Sequence, residues 1–203
     1  MDYMSGGDLR YHLGRQRRFS EETTKFFAAC LVSGLEYLHV NGVLHRDIKP
    51  ENLVLDSKGY LRITDFGVAK MWQANNETDT SGTPGYMAPE VMCRQKHGIG
   101  VDYYAMGVMI YEFMTGKRPY LGKTRKEIRD AILAKQVQLK KDDIPQGWSL
   151  EAADFVNKLI QRKPTNRLGF NGPNEIKNHV WFRGFDWQEL YNKQIPAPFV
   201  PLD

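Results

Sequence analysis

Apolar residues recur along most of this chain at intervals of three and four, the period of a helix with one buried face. Phe27, Leu31, Leu35 and Leu38 fall on one stripe, so the spacing predicts a helix over 20–39. Ser20 offers an N-cap oxygen, Glu21 and Glu22 suit the positive end of the helix dipole, and Asn41-Gly42 ends it. Gly6-Gly7-Asp8 reads as a turn into a short helix over 9–14. Positions 101–114 are almost wholly apolar after Asp102, which predicts a buried central helix. Shorter helical patterns follow over 124–135, where Ile128 and Ile132 repeat, and over 150–161, where Ala152, Val156, Leu159 and Ile160 repeat. A last one spans 175–179, before Trp181-Phe182.

One stretch breaks the helical period. Leu53-Val54-Leu55, the turn Asp56-Ser57-Lys58-Gly59 and Tyr60-Leu61-Arg62-Ile63-Thr64 make a hairpin signature. Positions 73–81 are polar and predict a mobile loop, and Arg15-Gln16-Arg17-Arg18 reads as a solvated one. From Ile195 the chain is proline-rich and extended. The expected fold is mainly α with one small sheet.

Composition narrows the function classes. At 203 residues and 41% apolar, the chain suits one well-buried domain, not a disordered chain. It has no apolar run long enough to span a membrane, and its acidic, glycine-bearing start resembles neither a signal nor a transit peptide. Two cysteines, Cys30 and Cys93, make a disulfide framework unexpected and fit an intracellular, cytoplasmic setting. Cys30 lies in a helical pattern and reads as an inert buried thiol. The net charge of +4 is spread among 24 acids, so no nucleic-acid surface is expected.

The chemistry concentrates in two runs at the outer ends of the hairpin. His45-Arg46-Asp47-Ile48-Lys49-Pro50-Glu51-Asn52 precedes it, and Asp65-Phe66-Gly67 follows it. Together they supply a proton acceptor, two metal-binding oxygen donors and a lysine, the groups needed to move a phosphoryl group from ATP to a hydroxyl. Ala88-Pro89-Glu90 closes the segment. An isolated Asp or Lys is ordinarily surface charge, but this combination at this spacing is not a chance match.

In these runs the chain resembles the eukaryotic protein kinases, and specifically their C-terminal lobe. The resemblance implies that Asp47 accepts the substrate hydroxyl's proton, that Lys49 neutralises charge on the transferring phosphoryl group, and that Asn52 and Asp65 hold Mg2+. Lys49 and Thr83 point to serine/threonine substrates, with the Thr83 hydroxyl bracing Asp47 and Lys49. His45, Phe66, Asp102 and a Glu90–Arg167 ion pair take structural roles.

The finer match is to the AGC group, typified by the cyclic-nucleotide-dependent kinases and protein kinase C. Met1-Asp2-Tyr3-Met4-Ser5-Gly6-Gly7-Asp8 resembles that group's hinge, Thr165-Asn166-Arg167-Leu168-Gly169 and His179-Val180-Trp181-Phe182 its closing segments, and Ala197-Pro198-Phe199-Val200-Pro201 the start of its C-terminal tail. The implied organisation is a kinase domain over 1–182, opening at the hinge, and a tail over 183–203. By the same match the backbone of Asp2 and Met4 pairs with adenine, Asp8 meets the ribose, Glu51 belongs to the nucleotide-binding run, and Val54 floors the purine pocket. Asp8, Glu51 and Glu112 match acids that this group turns toward arginine upstream of the acceptor, so protein substrates with basic residues are expected.

Arg46 and Lys70 resemble the cationic pocket for an activating phosphothreonine, but the receiving position is Asp79, flanked by Thr78 and Thr80. Either Asp79 supplies a standing negative charge, or Thr78 or Thr80 is phosphorylated and the loop shifts register.

The family's first, β-rich lobe supplies a glycine-rich loop, a strand lysine and its glutamate, and none occurs within these residues. The expectation is therefore a fragment that transfers phosphate poorly by itself and that works with a missing lobe or regulatory segments of a longer protein. The alternative is a non-catalytic docking or scaffold module.

Overall fold

A computed structural model describes residues 4–202. Helix α1 (Leu9–Gln16) begins where Asp8 accepts a hydrogen bond from the Tyr11 amide. It runs two residues beyond the expected end because Gly14 does not break it; Arg17 stops it with a left-handed φ of 63°. Helix α2 (Glu21–Val40) is capped by Ser20 and buries its Phe27, Leu31 and Leu35 stripe completely.

Two small antiparallel sheets follow among the described residues, not one. Strands β2 (Leu53–Leu55) and β3 (Leu61–Ile63) form the expected hairpin, in the register Val54 opposite Arg62. Strands β1 (Val43–Leu44) and β4 (Lys70–Met71) pair outside it. Two-residue strands carry no periodic signal, so only the tertiary fold defines them.

After the short α3 (Pro89–Met92) comes α4 (Gly100–Thr115), the central helix, with a left-handed Gly116 ending it. It packs chiefly against α6 (Leu150–Leu159) and α2. Gly107 permits the close α4–α6 approach, since a Cβ there would lie 2.6 Å from that of Leu159. Helix α5 (Arg125–Ala134) faces the core with Ile128 and Ile132.

Helix α7 (Pro173–Lys177) starts earlier than the pattern suggested, because Pro173 suits a first helical turn. His179 instead caps a 3-10 turn, Val180–Phe182. Helix α8 (Trp187–Tyr191), absent from the periodicity, stacks Trp187 against Phe182 and Phe185. The extended tail returns to the hairpin. Phe199 lies edge-on to His12, Phe19 and Phe27, and its backbone crosses so close to Gly59 that no Cβ would fit there.

Cys30 and Cys93 are free thiols, and burial pushes the Cys30 thiol up to about 12. No helix among the described residues is long and apolar enough to cross a membrane.

Candidate active site

The hairpin brings the two motif loops together, as its geometry requires. Hydrogen bonds then lace them. The Thr64 amide donates to the Asn52 carbonyl at 2.9 Å, and His45 Nε2 meets the Thr64 carbonyl at 3.0 Å. The His45 ring also lies edge-on to Phe66, 5.3 Å between centroids.

Asp102 anchors the first loop from below. Its carboxylate is fully buried in the first turn of α4 and accepts from the His45 amide at 3.1 Å and the Arg46 amide at 2.8 Å. His39, from the end of α2, reaches the same carboxylate at 2.8 Å. These bonds hold Arg46 at φ 70°, an unfavourable conformation for a bulky residue. Asp65 is also left-handed, at φ 59°, and its Oδ1 accepts from the Gly67 amide at 3.1 Å.

Asp47 is held from two sides. Thr83 Oγ1 donates to its Oδ1 at 2.6 Å, and Asn52 Nδ2 donates to its carbonyl at 2.8 Å and to Oδ2 at 3.2 Å. Lys49 Nζ donates to Thr83 Oγ1 at 2.8 Å and lies 3.6 Å from Asp47 Oδ2. The carboxylate is thus half-buried in a fixed orientation beside a fixed cation, so positioning does not depend on substrate.

The donor set suits a hard divalent cation. Asn52 commits its amide nitrogen to Asp47, which turns its oxygen the other way, and Asp65 is exposed. Among the described residues no three His, Cys, Asp or Glu cluster into a closed metal site. An amide and one carboxylate are what Mg2+ accepts when phosphates and water complete its shell.

Arg46 extends to the segment that follows the hairpin. It donates to the Val68 carbonyl and pairs with Asp79 at 2.5 Å, while Lys70 of β4 reaches the same Asp79 oxygen at 2.6 Å. Burial pushes the Asp79 carboxyl up, but Lys70, Arg46 and the Ser81 amide outweigh it and hold the group well below the usual carboxylate range. Thr78 is exposed beside it and Thr80 half-buried.

The other predicted residues fall as follows. Glu90 and Arg167 form a buried bidentate pair, at 2.6 and 3.0 Å. Asp8 bridges to Val54 of β2, and one of its oxygens is committed to capping α1. Met4 is half-buried just before that turn. Asp2 lies outside the described residues. Glu51 and Glu112 do converge, but on this chain's own Arg10, which pairs with Glu51 and with Glu112 at 3.0 Å. Of the three acids expected to face a substrate arginine, Asp8, Glu51 and Glu112, the latter two already hold an internal one. No local pattern reveals it, since Arg10 and Glu112 lie 102 positions apart, and the same holds for Tyr86, 26 positions from Glu112, and for His39, 63 from Asp102.

A helical lobe with a hairpin-borne catalytic loop, a second acidic loop beside it and a buried Glu–Arg pair behind them is the architecture of a protein kinase. The protein kinase domain matches residues 1–182, so the chain belongs to that family. Its relatives are AGC-type serine/threonine kinases. It is 41% identical over 205 residues to human ribosomal protein S6 kinase alpha-1, covering 99% of this chain and 27% of that protein. It is 39% identical over 203 residues to a Caenorhabditis elegans cAMP-dependent protein kinase catalytic subunit-like protein (99% and 50%). It is 38% identical over 204 residues to a Dictyostelium discoideum RAC family serine/threonine-protein kinase homolog (99% and 44%). The chain thus spans half or less of the length of these relatives.

Proposed function

We propose that this chain carries the catalytic half of an ATP- and Mg2+-dependent kinase that phosphorylates serine or threonine on proteins. The observation that carries the reading is the braced Asp47, with Thr83 on one oxygen and Asn52 on the other. Asp47 orients the acceptor hydroxyl and takes its proton. A carboxylate is basic enough, because the transition state demands alignment more than a strong base. Lys49 keeps positive charge beside that oxygen. Asn52 and Asp65 would hold Mg2+, which when bound would offset charge on the phosphates. The Met4–Asp8 turn against Val54 would receive the nucleoside.

Asp79 fills the place of an activating phosphate. Its pairs with Arg46 and Lys70 tie the segment carrying Thr83 to the loop carrying Asp47 without modification. Stoichiometric phosphate on Thr80 in the purified protein would overturn that part.

The decisive test is phosphate transfer from ATP to serine peptides by the full-length protein and its Asp65→Ala variant. The reading expects transfer by the first and at least about a hundredfold loss in the second. Full-speed transfer by the variant would refute it. The 203-residue chain by itself, without a glycine-rich loop or strand lysine, should be slower than the full-length protein by about a thousandfold. That figure takes half of the roughly 7–11 kcal/mol that positioning contributes.

A further inference from the structure

The cluster around Arg10 flanks both braces of Asp47. Glu51 precedes Asn52 in the 3-10 turn Pro50–Asn52, and the Tyr86 amide donates to the Thr83 carbonyl at 3.0 Å. The cluster therefore lies beside the position of the acceptor hydroxyl. Arg10 Nε donates to Glu51. Its Nη1 and Nη2 straddle Glu112, reaching Oε2 at 3.3 Å and Oε1 at 3.0 Å, and Nη2 also donates to the Tyr86 hydroxyl. That hydroxyl donates onward to Glu112 Oε1 at 2.6 Å.

Both oxygens of Glu112 are thus occupied, in a side chain only 8% exposed. A carboxylate so placed needs a permanent cation, and Arg10 provides one in the fork geometry that a substrate guanidinium would otherwise use. Arg118 adds further positive charge, lying 5.5 Å over the Tyr86 ring. With Arg10 paired to both acids and Arg118 stacked on the neighbouring Tyr86, little field remains to draw in another cation.

We propose that Arg10 is an internal occupant of the cation subsite beside the acceptor, so that this chain does not reward arginine at the matching position of its substrates. This rests on the kinase reading. An incoming arginine must displace a tethered one, whose effective concentration is roughly millimolar or higher. Arg10 is a specificity-setting residue and touches no reacting atom.

The test measures binding, not transfer. Labelled serine peptides, each with one arginine at a different position before the serine, are titrated against an all-alanine peptide. The protein is the full-length form, as wild type, Arg10→Met and Arg10→Lys. The expected result is a gain in the arginine-to-alanine affinity ratio of about fivefold or more at one position in Arg10→Met. Arg10→Lys, which keeps the cation, should gain less than that. A gain below fivefold at every position in Arg10→Met, or an equal gain in Arg10→Lys, overturns the proposal. Should Arg10→Met fail to fold by circular dichroism, Arg10→Gln gives the same readout. Absence of any transfer from ATP by the wild type would instead sink the kinase reading, leaving these ratios interpretable.

Discussion

Replacing Thr83 by alanine isolates the brace on Asp47. The hydroxyl donates to a carboxylate at 2.6 Å and accepts from Lys49 at 2.8 Å, so both bonds are charge-assisted. A hydrogen bond to a charged group is worth about 1.5–3 kcal/mol. Asn52 still holds Asp47 at 3.2 Å, and Lys49 remains within 3.6 Å, so the loss should not exceed that range. If it falls wholly on the transition state, at ~1.4 kcal/mol per factor of ten, kcat drops about 10- to 150-fold. The KM for ATP should change less than about twofold, because the Thr83 hydroxyl contacts Asp47 and Lys49 but none of the residues proposed for the nucleoside or Mg2+. Serine, which keeps the oxygen, should restore most of the rate. Steady-state kinetics on the full-length protein measures all three. An alanine variant within about threefold of wild type, or a serine variant as slow as alanine, would refute the argument that the hydroxyl sets Asp47.

Arg167→Met should destabilise the fold by about 3–5 kcal/mol, since Glu90 would be left buried and unpaired; urea unfolding followed by tryptophan fluorescence reads this, and a loss under about 1 kcal/mol would contradict it. Asp79 has a carboxyl held below its ordinary 3.8, so its stabilising contribution is complete above that value and fades as pH falls beneath it. The difference in melting temperature between wild type and Asp79→Asn should therefore be largest near about pH 6 and shrink toward about pH 2, and a difference that grows on acidification would be the wrong sign. Asp65→Asn should raise the Mg2+ concentration giving half-maximal transfer by about tenfold or more, with an unchanged requirement arguing that Asp65 is not a ligand.

Much of this molecule was legible because the helices that matter are long. The Phe27–Leu31–Leu35 stripe and the apolar run after Asp102 each fix a helix and its buried face without help from context. The hairpin was readable from its turn, and with it the meeting of the Asp47 and Asp65 loops. Contacts set by the tertiary fold alone were not. The β1–β4 pair is two residues long, α8 is a single turn held by aromatic packing, and His39 reaches Asp102 across 63 positions. The acids Glu51 and Glu112 could be picked out by type, but whether they stand open or engaged depends on where Arg10 points, which no local pattern encodes.

The loop carrying Asp47 takes its shape from a carboxylate that belongs to a core helix and not to the loop. With the His45 and Arg46 amides both tied to Asp102, that backbone has no independent route to open. Its two amide protons should exchange with solvent only when the whole lobe unfolds, as slowly as those in the middle of α4. Residues facing the substrate can then diversify from one relative to another while the pivot beneath them stays fixed, so new preferences can evolve without rebuilding the chemistry.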